Sequence, residues 1–319
     1  MRKGDRPVFV IDIYNMHTQA PTNWQQLLKQ IQEGSQKAVS RCISLVENEV
    51  PGYESFLAAL PVNERTQIIG ITGPPGAGKS TLTDALIGEL VAAQKNVAIL
   101  CVDPSSPFNM GALLGDRIRM SEWYSHPNVF IRSLATRGSL GGLHPKIIEL
   151  TEVLKAAPFD CIIIETVGVG QSEVEIAGLA DVTVVVLVPE AGDEVQTMKA
   201  GLMEIADIFV VNKADRPDAD TFYRNLKLML QPAFHAVELD IPVIKTVASQ
   251  KKGITELYDA IQGKLKQVQT TEKKFRLLAD KAYYLLQKHR MKDIHKEELL
   301  AAIQKENITN VYSFITRFY

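Results

Sequence analysis

The stretch Gly73-Pro74-Pro75-Gly76-Ala77-Gly78-Lys79-Ser80-Thr81 restricts what this chain can fold into more than any other. It satisfies G-x-x-x-x-G-K-[S/T] at every fixed position, and its flanks are those the pattern needs. Before it, Ile68-Ile69-Gly70-Ile71-Thr72 is an apolar run of strand length; after it, Leu82, Ala85, Leu86 and Leu90 recur at helical spacing. A strand, a glycine-rich turn and a helix in that order turn backbone N–H groups inward at a helix N-terminus, where they surround an anion. Lys79 adds a charge within reach of the β- and γ-phosphates of a nucleotide, and the Ser80 hydroxyl is an oxygen ligand for Mg2+. All nine residues are therefore expected to bind nucleotide.

The rest of the chain agrees with that start. From Gln67 to about Ala248, short Val/Ile-rich runs alternate with helical patterns: Ile68–Thr72, Val97–Val102, Val129–Leu134, Cys161–Thr166, Val182–Val188, Ile208–Val211 and Ile241–Val247. Such alternation predicts an α/β fold, a P-loop NTPase with a mostly parallel central sheet flanked by helices. Helical extensions are expected at both ends. Trp24 to Asn48 carries a helical period that Gly34-Ser35 divides in two, and Tyr53 to Leu60 is a shorter amphipathic piece. Residues 1–22 show no period. The expected organisation is an N-terminal helical extension over 1–62, a nucleotide-binding domain over 63–267 and a C-terminal helical segment over 268–319. The apolar positions between Phe275 and Phe318 exceed what a short basic helix pair can bury alone, so a homodimer is the expected outlet.

Composition narrows the classes without choosing among them. The 319 residues are 46% hydrophobic with a formal net charge of −2, which describes a globular protein and offers no electrostatic argument for nucleic acid. Cys42, Cys101 and Cys161 stand far apart, without the pairing of a disulfide framework or a zinc site. No run approaches a membrane span, and Val8 to Tyr14 is a poor signal-peptide core because it is short and holds Asp12. The expectation is a cytoplasmic chain with no membrane or nucleic-acid partner.

Polar punctuation falls where strands end, which is where open α/β sheets bind ligands. Asn212-Lys213-Ala214-Asp215 fits N-K-x-D and follows a strand. An ionised Asp215 accepts from guanine N1–H and N2–H2, a donor pair that adenine lacks, so the expected nucleotide is GTP or GDP. Glu165-Thr166-Val167-Gly168 closes another strand; Glu165 is a carboxylate for Mg2+, and Gly168 can offer its N–H to a γ-phosphate. Asp103 ends a third strand, and Asp116 follows a glycine-bearing loop. Either can serve Mg2+ beside Ser80 and Glu165, and sequence does not rank them. Lys79, Asp103, Glu165 and Gly168 form the expected catalytic set.

Taken together these residues resemble the methylmalonyl-CoA mutase-associated GTPases of the MeaB/ArgK type, which carry Glu in the Walker B segment. The likeness runs from about Ala38 to Ile254. It rests on GPPGAGKST at 73–81, Val102-Asp103-Pro104-Ser105-Ser106, Leu114-Gly115-Asp116-Arg117, Thr136-Arg137-Gly138, Glu165-Thr166-Val167-Gly168-Val169-Gly170-Gln171-Ser172-Glu173, Ala191-Gly192-Asp193-Glu194 and Asn212–Asp215. The resemblance implies a GTP-hydrolysing chaperone of an adenosylcobalamin-dependent acyl-CoA mutase, gating cofactor loading and protecting or reactivating the mutase. It implies a homodimer joined through C-terminal helices, with no cobalamin bound by this chain itself. It also implies that Gln171 and the segment holding Glu190, Asp193, Glu194, Gln196 and Lys199 relay nucleotide state to the mutase.

Departures from the family pattern are local. Phe108-Asn109-Met110-Gly111 stands where Thr-Gly-Gly is usual, and Val247-Ala248-Ser249 where Ser-Ala-x is usual for guanine contact; the Ala248 N–H is expected to serve guanine O6 there. Val169 occupies the place where Ras-like proteins carry a water-orienting Gln, so slow intrinsic turnover, raised by the partner mutase, is expected. Two other readings share the P-loop. A metallochaperone GTPase would carry His-rich or clustered Cys elements, and this chain has six scattered His; a small-molecule kinase would lack N-K-x-D. A GTP-dependent binding module that hydrolyses little by itself is a third, non-enzymatic reading.

Overall fold

A computed structural model describes residues 22–61, 63–103, 120–136, 143–168, 175–191, 204–230, 241–267 and 271–318. Asp116, Gln171, Asp193, Glu194, Gln196 and Lys199 lie outside the described residues.

Seven strands form one sheet: β1 Gln67–Thr72, β2 Val97–Asp103, β3 Val129–Ala135, β4 Cys161–Glu165, β5 Val182–Leu187, β6 Ile208–Val211 and β7 Val243–Lys245. Their order is β3-β2-β4-β1-β5-β6-β7, and every pairing between them is parallel. The last strand is shorter than the run Ile241–Val247 predicts. It lies at the edge against the four-residue β6, pairing from Phe209↔Val243 to Val211↔Lys245, and Pro242 just before it has no N–H for a ladder.

The sheet separates two apolar layers because strand side chains alternate faces. Ile69 and Ile71 of β1, Val97, Ile99 and Cys101 of β2 and Ile163 of β4 face one way. They meet α4 (Lys79–Ala92), α6 (Ala219–Leu230) and α7 (Ile254–Gln267) through Leu82, Leu86, Leu226, Leu257 and Ile261. Ile68, Ala98, Leu100, Val102, Ile162 and Ile164 face the other way. There they meet α1 (Trp24–Gln32), α2 (Gln36–Glu47), α3 (Tyr53–Ala58) and α5 (Ile147–Lys155).

The N-terminal helices are thus part of a sheet-covering layer. Val39, Cys42, Ile43 and Val46 of α2 are fully buried with Leu150 and Leu154 of α5. Burial on that scale contributes roughly 1.5–3 kcal/mol for each large apolar side chain. The break between α1 and α2 falls at Gly34 and Ser35, as the composition predicts; the Ser35 hydroxyl accepts from the Ala38 N–H at 3.3 Å and so starts α2. The cysteines are buried in these layers, and burial pushes the Cys42 and Cys161 thiols up to about 12, which leaves them unreactive.

Three helices follow: α8 (Thr271–Arg290), α9 (Lys296–Glu306) and α10 (Val311–Ile315). One stripe of α8 turns inward. Leu277 is buried, Leu285 packs on the layer that includes α5, and the Lys288 ammonium donates to the Pro145 carbonyl at 2.7 Å and to Glu149 at 3.3 Å. A second stripe of α8, with Phe275, Leu278 and Leu286, is exposed. No helix among the described residues is long and apolar enough to cross a membrane.

Candidate nucleotide site

The carboxyl ends of β1, β2, β4 and β6 bring the expected site residues to one edge of the sheet. Strand β1 ends at Thr72, and the loop from Gly73 leads into α4, whose first residue is Lys79. Lys79 is buried, and its ammonium donates to the carbonyls of Gly73 at 2.9 Å and Pro74 at 3.1 Å, so its charge sits at the centre of the loop. Pro75 and Gly76, at the crest, are exposed.

Glu165 ends β4 directly beside β1, in register with Ile71, and is almost fully buried. Two hydroxyls from α4 reach it: Ser80 donates to one carboxylate oxygen at 2.6 Å, and Thr83 donates to the other at 3.0 Å. Donors on both oxygens satisfy a carboxylate that burial has taken from water. Thr72 and Thr166 hydroxyls bond to each other at 2.9 Å just behind it.

Gly168 follows with φ +85°, and an added Cβ would lie 2.2 Å from the Gly73 oxygen and 2.4 Å from the Lys79 ammonium. Only glycine lets the backbone approach the loop this closely. Asp103 ends the neighbouring β2, two residues beyond Cys101, which is itself in register with Glu165. Ser80 and Glu165, with Asp103 at the same edge, supply the hard oxygen donors that Mg2+ takes, and the observed convergence of the Ser80 hydroxyl on the Glu165 carboxylate fits such an ion. Mg2+ usually takes one or two carboxylates together with phosphate oxygens and water.

The base-reading elements meet on the other side of the loop. Asn212 is buried after β6, and its amide nitrogen donates to the Ala77 carbonyl at 2.9 Å. Its amide oxygen accepts from the Thr246 hydroxyl at 3.0 Å and the Ala248 N–H at 3.2 Å. One side chain thus ties N-K-x-D to the P-loop and to the segment Val247-Ala248-Ser249. The Ala248 N–H, which the sequence offers to guanine O6, here donates to the Asn212 amide oxygen. Lys213 adopts φ +56°, and Asp215 is exposed beyond it, open toward solvent.

Three contributors carry no motif. Thr83 lies in a helical pattern that reads as ordinary core. Arg216, next to Asp215, forms an ion pair with Glu190, whose carboxyl the guanidinium holds below the usual range. Trp123 donates its indole N–H to Asp84 of α4 at 2.8 Å and so fastens the chain just after residues 104–119 to the P-loop helix. Each depends on a long-range contact that local spacing does not encode.

Comparison with known proteins follows the same lines. A family model described as methylmalonyl Co-A mutase-associated GTPase MeaB matches residues 39–305. A protein of Pyrococcus abyssi, provisionally named a GTPase, is 50% identical over 241 residues, covering 74% of each chain. The Escherichia coli GTPase ArgK is 36% identical over 244 residues, 73% of each chain. A protein of Cupriavidus metallidurans named fused isobutyryl-CoA mutase is 36% identical over 256 residues, which are 77% of this chain and 23% of that one. Among solved structures, one described as a LAO/AO transport system kinase superposes with a TM-score of 0.61 at 25% identity, covering 92% of this chain and 96% of the other.

Proposed function

The chain belongs to the family of methylmalonyl-CoA mutase-associated GTPases, and from that premise we propose that it hydrolyses GTP with Mg2+ as the chaperone of an adenosylcobalamin-dependent acyl-CoA mutase. The observation that carries the nucleotide half is the joint made by Asn212, which links the guanine-reading motif to the Ala77 carbonyl of the phosphate cradle. Lys79 and the loop N–H groups bind the phosphates, Ser80 and Glu165 with Asp103 would hold Mg2+, Gly168 approaches the γ-phosphate and Asp215 reads the base. Bound there, Mg2+ would neutralise charge on the phosphate oxygens. The chain offers no Gln in the water-orienting place after Gly168, which supports a slow intrinsic rate.

The mutase half is supported by the family description and by the fused isobutyryl-CoA mutase, in which a region like this chain is part of a protein with a mutase name. In this reading the chain works in the cytoplasm as a homodimer, holds no cobalamin, and gates cofactor loading while its own nucleotide turns over. The segment from Glu190 to Lys199 and Gln171 carry nucleotide state to the mutase. The test measures GTP hydrolysis and co-purification with and without a cobalamin-dependent acyl-CoA mutase of the same organism. Complex formation with a several-fold rise in rate is expected. Hydrolysis that ignores every such mutase would overturn the partner assignment and leave the GTPase assignment standing.

A further inference from the structure

We infer that Thr83 is a positioning residue for the nucleotide site: its hydroxyl sets the carboxylate of Glu165 so that Ser80 and Glu165 together receive the cation that accompanies nucleotide. This deepens the reading above and rests on it.

The argument begins with burial. Thr83 is fully buried on a face of α4 shared with the apolar side chains of Leu82, Leu86 and Ile87. A hydroxyl taken out of water costs free energy unless it is bonded, so its presence needs a partner. Two acceptors lie at 3.0 Å, the Lys79 carbonyl one turn back and the second carboxylate oxygen of Glu165. The hydroxyl has one proton. Donation to an ionised carboxylate is the stronger choice, and the Lys79 carbonyl already lies in the helix ladder.

Geometry then divides the work. Ser80 and Thr83 are three residues apart and so lie on one side of α4. Each takes a different oxygen of the same carboxylate, at 2.6 and 3.0 Å. Two donors on two oxygens hold the plane of the group from the side of α4. The carboxylate must also reach the second turn of α4. An aspartate at 165, one methylene shorter, would fall short of Thr83 by about one C–C bond, roughly 1.5 Å. Thr83 is therefore matched to glutamate at this position.

The test measures affinity for a fluorescent guanosine diphosphate across a Mg2+ series and in chelator, in the full chain carrying T83V, T83S, E165D or T83V with E165D. Valine keeps the volume of threonine and removes the hydroxyl; serine keeps the hydroxyl. T83V is expected to raise the Mg2+ concentration needed for half of the Mg2+-dependent tightening by about 10- to 100-fold, the usual loss when a group behind a metal ligand is removed. Affinity in chelator should stay at the wild-type value, T83S should keep the wild-type response, and T83V should add nothing in the E165D background. A T83V chain with the wild-type Mg2+ response, or a T83S chain as impaired as T83V, would overturn the inference while leaving the nucleotide reading intact. Should T83V not fold, T83A makes the same comparison: a T83A chain with the wild-type Mg2+ response would overturn the inference. A wild-type chain that binds no guanine nucleotide in either buffer would overturn both.

Discussion

Asn212 donates its side-chain N–H to the carbonyl of Ala77, 135 positions away in sequence and 2.9 Å away in space. The same amide accepts from Thr246 and Ala248, so three separate segments share one buried side chain. Asn212→Ala leaves the Ala248 N–H and the Ala77 carbonyl without that partner. Each buried group left unsatisfied costs about 1–3 kcal/mol. The expected outcome is a lower urea midpoint together with weaker guanine nucleotide binding. An unchanged midpoint would show that water replaces the side chain without cost.

Lys79→Ala removes a buried charge whose present acceptors are loop carbonyls. Because the backbone N–H groups of the loop remain, the fold should persist while GTP binding weakens strongly and hydrolysis stops. Circular dichroism checks the first part and a phosphate-release assay the second. Normal turnover would refute the role of the loop.

Asp215→Asn tests how the base is read. The new amide can present an NH2 to guanine N2–H2, donor against donor, whereas xanthine offers a carbonyl at that place. Relative preference should shift from GTP toward XTP, measured by competition. The exposed position of Asp215 makes this change cheap for the fold, and surface substitutions of this kind usually stay within about 0.5 kcal/mol. Unchanged GTP affinity would assign base reading to another residue.

The C-terminal helices invite a test on the whole chain. Cutting before α8 would also uncover the side of α5 against which that helix lies, so substitutions on its outer stripe are cleaner. Leu278→Glu with Leu286→Glu places two charges among Phe275 and its exposed apolar neighbours. Light scattering should give a dimer for the wild type and a monomer for the double variant. A wild-type chain that is already monomeric at high concentration would refute association through this stripe.

Much of this architecture is readable in the sequence because it is local. A buried parallel strand announces itself as a Val/Ile run, and six of the seven observed strands match the predicted runs to within one residue at either end. The P-loop and N-K-x-D are short fixed spacings that follow a strand. Thr83 is not legible in the sequence, because a hydroxyl on a helical face carries no signal until a carboxylate from another strand is placed beside it. The N-terminal helices show the same limit. Periodicity reveals that Val39, Ile43 and Val46 share a face, but not that the face meets α5 and the sheet. The two stripes of α8 are likewise one apolar excess in sequence and become distinct only once Lys288 is seen bonded to Pro145 and Glu149.

Glu190 and Arg216 give the site a joint between its base end and the segment that begins at Pro189. Both side chains are roughly half exposed, so the pair is worth no more than about 1 kcal/mol. Free energy of that size moves a two-position equilibrium by about fivefold. If Asp215 reads guanine as proposed, the joint would behave as a slipping clutch: it would pass a bias between guanine and the segment but could not by itself throw the segment from one setting to the other. Arg216→Gln should change the ratio of GTP to GDP affinity by no more than about that fivefold, read by competition binding. A larger change would make the pair a rigid drive shaft, whereas a small one leaves most of the torque to be supplied by whatever docks on the segment from outside.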